Sequence, residues 1–297
     1  MSYPIYNTLR LPVRDLVFLT KYLLKEKSFQ TKTKAKAKPL VLCNSYPKSG
    51  THLLYQILYS LPGLKAWDDI VSVQSLCGMM NPPCHIRWKI GSAPNHAIVR
   101  SHLMYCDEIR EILQEFDCKV IFIYRDLRDV AVSHACWIPK EKRIFLHQYY
   151  LELNDFNEQL MRSIKGVPLG TPFGSNLSQP DIGQDFSRWK GWINDPKVLA
   201  IKFEDLVGSR GGSSEITRFQ TIQKIVNYLE IDLTSQQIAT QFASEAMNPQ
   251  ESHTFRKGGK GSIGRWRSLF TEAHKQAFKQ VAGDLLIELN YESDHNW

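Results

Sequence analysis

The stretch Leu40–Thr51, LVLCNSYPKSGT, continued by Leu53, Leu54, Ile57, Leu58 and Leu61 at helical spacing, decides the fold. An apolar run of strand length, Leu40-Val41-Leu42, meets a turn built on Pro47 and Gly50, and an amphipathic helix follows. At such a junction backbone N–H groups point outward and the helix dipole favours an anion. Gly50 lets the chain approach a ligand closely, Ser49 and Thr51 add hydroxyl donors, and Lys48 supplies a mobile point charge. Taken alone, the segment is either an anion-binding turn or an ordinary strand–helix connection. It is not a Walker A loop, which requires a lysine after the second glycine; here Lys48 precedes Gly50.

The strand–helix alternation continues outward. Ala97-Ile98-Val99 reads as a strand, and Asp107 is placed to cap a helix carrying Ile109, Ile112, Leu113 and Phe116. Lys119–Tyr124 (KVIFIY) reads as a buried strand leading through Arg125-Asp126 into a helix, and Val198–Ile201 as another strand. Strands separated by helices imply an α/β fold, a central parallel sheet flanked by helices. Ligands then bind beyond the carboxyl ends of the strands. Residues 62–96 and 166–185, rich in Pro and Gly, read as long irregular segments.

Two further motifs join the phosphate turn. Arg125 ends the KVIFIY strand and Ser133 follows it by about two helical turns. Near the end of the chain Arg256-Lys257-Gly258 opens a basic, glycine-rich loop. The three motifs, in this order, resemble those of the cytosolic-type sulfotransferases that use 3′-phosphoadenosine 5′-phosphosulfate (PAPS). In that family the Y-P-K-S-G-T turn holds the 5′-phosphosulfate, the Arg and Ser hold the 3′-phosphate, and an R-K-G-x-x-G loop closes over the nucleotide. The resemblance runs from about Pro39 to Thr271. It implies a P-loop-like nucleotide-binding sulfotransferase fold, PAPS as donor with 3′-phosphoadenosine 5′-phosphate (PAP) as product, and no metal. Lys48, Ser49, Gly50, Thr51, Arg125, Ser133, Arg256, Lys257 and Gly258 are the implied donor-binding residues; His52, where the family has Thr, joins them. The glycine loop departs from the pattern: Gly258–Gly264 is longer than expected, and either Gly261 or Gly264 can fill the second glycine position.

Arg100-Ser101-His102-Leu103 resembles the family's K-T-H-L, whose His is the catalytic base. His102 is therefore the expected base and Lys48 the expected stabiliser of charge on the leaving phosphate, with His52 the second candidate base. Histidine titrates in the range this chemistry needs. An acceptor site would draw on residues 62–96 and 134–185, where Trp67, Asp68, Asp69, Trp88, Trp137, Tyr149 and Tyr150 are either acceptor contacts, core rings or solvated charges.

Composition bounds the remaining readings. The 297 residues, 43% hydrophobic and 23% charged, suit a domain with a full core, and a net charge of +7 suits an anionic ligand without pointing to nucleic acid. Six scattered cysteines lack zinc spacing, and a reduced, cytoplasmic protein is expected. No stretch approaches the roughly 20 apolar residues of a membrane span. Residues 1–38 form an amphipathic segment, with Val13, Leu16, Val17, Leu23 and Leu24 among basic residues, and a Lys-rich linker. Packing on its own domain is the preferred reading of that pattern, peripheral membrane contact the alternative. The resemblance implies a sulfotransferase domain over residues 39–297. The expected partner is a small-molecule acceptor. A carbohydrate or protein sulfotransferase and a non-catalytic PAP-binding relative are the rival readings. Of the family's dimer motif only Thr271 matches outright, with Arg267, Glu272 and Gln276 at the other marked positions, which leaves the oligomeric state open.

Overall fold

The computed structural model describes residues 40–72, 81–168, 178–238 and 262–297. The segment 1–38, Cys77 and the Arg256-Lys257-Gly258 motif lie outside the described residues. Five parallel strands, β1 (Val41–Ser45), β2 (Lys65–Ser72), β3 (Ala97–His102), β4 (Lys119–Tyr124) and β5 (Val198–Lys202), are ordered β2-β3-β1-β4-β5. The main helices are α1 (Thr51–Ser60), α2 (Pro83–Ser92), α3 (Asp107–Glu115), α4 (Leu127–Trp137), α5 (Phe156–Lys165), α6 (Glu215–Tyr228) and α7 (Glu272–Glu288).

Strand alternation sorts side chains onto two faces. Leu42, Val99 and Phe122 join a core with α3, α4, α5 and α7, while Val41, Cys43, Ile98 and Ile121 join a second core with α1 and α6. All five residues of β1 are buried. Each large apolar side chain so enclosed contributes roughly 1.5–3 kcal/mol. Helices pack on both faces, as expected from the apolar runs. The chain passes from β3 across β1 to β4, so the sheet changes direction at its centre, where ligands gather in such folds.

Two expectations are corrected. Residues 62–96 are not irregular throughout: β2 and α2 lie within them. The strand escapes the periodicity test because it is an edge strand whose register slips between Ala66 and Ile70, and Asp68 and Asp69 interrupt its apolar pattern. In α2 the proline pair does not break the helix but starts it, Pro82 as N-cap and Pro83 at the first helical position, where a missing N–H costs nothing. Asp107 is likewise not the cap of α3; Cys106 is, and Asp107 sits in the first turn, where its charge suits the helix dipole.

Candidate active site

The three motifs that the structure describes hang from three adjacent strands. The turn Tyr46–Gly50 follows β1, His102 is the last residue of β3, and Arg125 directly follows β4. Because the strands are parallel, all three emerge on one edge of the sheet.

The turn itself is tightly held. Ser49 N donates to Tyr46 O at 3.1 Å, and the backbone is left-handed at Lys48 (φ 68°) and Gly50 (φ 109°). A left-handed non-glycine residue costs roughly 1–3 kcal/mol, and such strain collects at functional sites. Gly50 serves as N-cap of α1, where no side chain caps and no acidic residue lies in the first turn. A Cβ at Gly50 would stand 2.5 Å from the Phe203 ring and 3.3 Å from Ile123, so only glycine fits. The Ser49 hydroxyl is buried without a hydrogen-bond partner. An orphaned buried hydroxyl beside an uncapped helix start is what an anion-binding turn requires. Thr51 Oγ1 lies 2.5 Å from Ser45 Oγ, which ties the helix start to the end of β1.

His102 is fixed by the same strand end. Its Nδ1 lies 3.0 Å from Ser45 O and 3.1 Å from Ser45 Oγ. Next to it, the fully buried Asn44 side chain clamps β1 to β3: Nδ2 donates to Leu103 O at 3.0 Å, and Oδ1 accepts from Leu103 N at 2.9 Å and Ser101 Oγ at 3.0 Å. Burial lowers the His102 pKa, partly opposed by the Ser45 carbonyl bond, and the Lys48 charge lowers it further. The ring is therefore neutral near pH 7. With Nδ1–H given to Ser45 O, the Nε2 lone pair is left to accept a proton.

Lys48 Nζ lies 4.2 Å above the Trp137 ring, the last residue of α4. On the same helix His134 is buried, its pKa driven down to about 3 by burial with help from Lys48, so it too stays neutral. Tyr46 is buried against His134, Phe186 and Trp189, and its hydroxyl donates to Asp185 at 2.9 Å.

Arg125 is 4% exposed. Its Nη2 donates to Asp129 at 3.2 Å and to Ser262 O at 2.8 Å, its guanidinium carbon lies 4.4 Å from the Phe203 ring centre, and its Nε is buried without a partner. Asp129 in turn accepts from Gly264 N at 2.7 Å and Trp266 N at 3.1 Å. Ser133 is half-buried on α4, two turns beyond Arg125. His52 lies exposed in the first turn of α1, in contrast to the half-buried His102.

Of the expected acceptor contacts, Tyr150 is a core residue, fully enclosed with its hydroxyl 3.1 Å from Ser163 Oγ, and Tyr149 packs in the same cluster. Trp67 and Trp88 are partly buried, and the Asp68 and Asp69 side chains lie outside the described residues. Sequence reasoning assigned no part to Asn44, Asp129 or Phe203. A polar residue at the end of a buried strand was the signal for Asn44. An acidic residue one helical turn after a strand-end arginine was the signal for Asp129.

The sequence matches the family described as Sulfotransferase domain over residues 38–290. The chain belongs to the sulfotransferase family. It is similar to Sulfotransferase 6B1 of Mus musculus, with 28% identity over 277 residues, 85% of this chain and 80% of that protein. It is also similar to Flavonol 3-sulfotransferase of Flaveria bidentis, with 24% identity over 278 residues, 86% and 82% of the two chains. The fold is shared with the crystal structure of mouse sulfotransferase SULT7A1 complexed with PAP, at a TM-score of 0.54, 22% identity and 85% coverage of each chain.

Proposed function

We propose that this sulfotransferase moves the sulfuryl group of PAPS to a hydroxyl or amine of a small-molecule acceptor. One observation carries the reading: the Lys48 turn, His102 and Arg125 share one edge of the sheet on the adjacent strands β1, β3 and β4. The orphaned Ser49 hydroxyl, the uncapped start of α1 and the partnerless Nε of Arg125 fit a donor with an anion at each end. In this reading Ser49, Gly50, Thr51 and Lys48 hold the 5′-phosphosulfate, with His52 beside them. Arg125 and Ser133 hold the 3′-phosphate, and Arg256, Lys257 and Gly258 cover the nucleotide.

The chemistry is an in-line displacement at sulfur. The acceptor oxygen or nitrogen forms a bond to sulfur as the bond from sulfur to the bridging phosphate oxygen breaks. The acceptor proton passes to Nε2 of His102, and the leaving electron pair stays on PAP beside Lys48. Positioning and charge stabilisation supply most of the acceleration, as in phosphoryl transfer. No metal takes part in this scheme.

A small-molecule acceptor is supported by similarity to a protein named for a flavonol. The free thiols of Cys43, Cys84, Cys118 and Cys136 support a reducing, cytoplasmic setting. Among the described residues no helix is long and apolar enough to cross a membrane. The test is a panel of phenols, alcohols and amines incubated with labelled PAPS and read by mass, alongside calorimetry with PAP and AMP. Transfer to at least one acceptor and tighter binding of PAP than of AMP are expected. PAP binding no tighter than AMP overturns the assignment. PAP binding without transfer to any acceptor, His102 intact, favours the non-catalytic alternative.

A further inference from the structure

Arg128, on the first turn of α4, is 1% exposed yet carries a full charge network. Its guanidinium makes a forked pair with Asp126, with Nε to Oδ1 at 3.0 Å and Nη2 to Oδ2 at 2.8 Å, and Nη1 meets Glu292 at 2.5 Å. It also sits in the corner formed by two indoles, its carbon 3.8 Å from the Trp266 ring centre and 4.5 Å from that of Trp297. The two rings meet edge-on, with centres 5.5 Å apart. Trp266 belongs to the turn whose backbone is pinned by Asp129, and Asp129 and Ser262 of that turn hold the Arg125 guanidinium. A second thread runs in parallel: Tyr291 donates to Glu204 at 2.9 Å, and Glu204 accepts from Asp126 N, the residue after Arg125, at 3.0 Å.

We propose that the segment Tyr291–Trp297 is a positioning element for the anion grip at Arg125. Glu292 and Trp297 fix Arg128, Arg128 stacks the Trp266 indole, and the Ser262–Trp266 turn holds the Arg125 guanidinium in place. None of the residues Tyr291, Glu292, Trp297 or Arg128 need touch a ligand; they set how rigidly Arg125 meets one. A buried charge held by a forked carboxylate and two aromatic faces has one favourable arrangement, so disturbing the outer members loosens the inner ones. Contact alone is not coupling, and the coupling is what must be measured. The inference rests on the reading of Arg125 as the 3′-phosphate contact.

PAP and AMP differ only in the 3′-phosphate, so the ratio of their affinities reports the Arg125 grip. Calorimetry on the full-length wild-type protein and on W297L, W297F and E292Q measures it, with thermal melting of each. In W297L and E292Q the ratio is expected to fall roughly 3- to 30-fold, the range for residues that couple to a site without touching its ligand, while AMP affinity stays unchanged. W297F, which keeps an aromatic face over Arg128, is expected to retain most of the ratio. A merely structural role would lower the melting temperature and leave the ratio untouched. A wild-type ratio in folded W297L and E292Q overturns the proposal; if W297L fails to fold, E292Q alone decides. A wild-type protein that binds PAP no better than AMP removes the functional reading itself, which is a different result.

Discussion

His102 and Ser45 meet twice, at the Ser45 carbonyl 3.0 Å away and at its hydroxyl 3.1 Å away, and both contacts are made by the same ring nitrogen. One nitrogen is thereby committed to the fold, and the other is free for chemistry. For H102A, turnover is expected to fall by about 10²- to 10⁴-fold, the usual contribution of general base catalysis, while PAP affinity stays near that of the wild type. Steady-state kinetics with calorimetry check this, and near-wild-type turnover dismisses His102 as base.

The pH profile follows from the environment of the same ring. Burial and the Lys48 charge both disfavour the imidazolium, so His102 protonates only below the ordinary histidine value of about 6.5. Activity is therefore expected to hold down to that value and to fall on its acid side. K48M, which keeps an unbranched side chain but removes the charge, is expected to move the acid limb upward as well as to lower kcat. An acid limb that moves downward or not at all in this variant contradicts the assignment.

Gly50 answers two demands at once, a left-handed backbone and a space closed by Phe203. G50A is expected to lose about 1–3 kcal/mol from backbone strain alone, with more from the clash, and to lose PAP binding together with stability. Denaturant titration and calorimetry measure the two losses. A stable variant with normal PAP affinity would show that the turn tolerates a side chain.

Asn44 satisfies the buried polar groups of Ser101 and Leu103, and those two residues flank His102. N44A strands Leu103 N and the Ser101 hydroxyl at about 1–3 kcal/mol each, while Leu103 O keeps its bond from Trp192 Nε1. The expected result is a lower melting temperature with a larger loss in kcat than in PAP affinity, because the clamp joins the base strand to the turn strand. Equal loss in both would make Asn44 a matter of stability only.

Glu204 has its carboxyl pKa raised to about 7, first by burial, against the pull of the Asp126 N–H and the Arg125 charge. The unfolded value is near 4.3, so between these values the folded state binds more protons than the unfolded one. The stability tied to protonated Glu204 is present below the unfolded value and is lost as pH rises through about 7. Melting temperatures of the wild type are thus expected to fall from about pH 5 to pH 8 more steeply than those of E204Q. Parallel curves for the two proteins refute the shift.

Four of the five strands among the described residues were legible because each holds a short, continuous apolar run: β1, β3 and β4 are largely buried, and β5, though an edge strand, keeps the run Val198–Ile201. The fifth, β2, was not, because an edge strand with a slipped register and two central aspartates carries no such signature. Within the site, Lys48, Ser49, Gly50, His102 and Arg125 were legible because their chemistry sits in continuous motifs beside strand ends. The parts that hold them were hidden for a different reason. Asn44 reaches a residue 59 positions away, and Asp129 one 135 positions away, and no local pattern records such pairings.

The adjacency of β3, β1 and β4 has a consequence for how specificity can diversify. Neighbouring strands lie about 4.8 Å apart, so three of them set a rigid ruler about 10 Å wide. The reactive groups are graduations on that ruler, and loop insertions elsewhere cannot stretch it. In the proposed reading, changes to the segments around α2 and between α4 and α5 reshape what is admitted while the strand spacing that separates His102 from Lys48 stays constant.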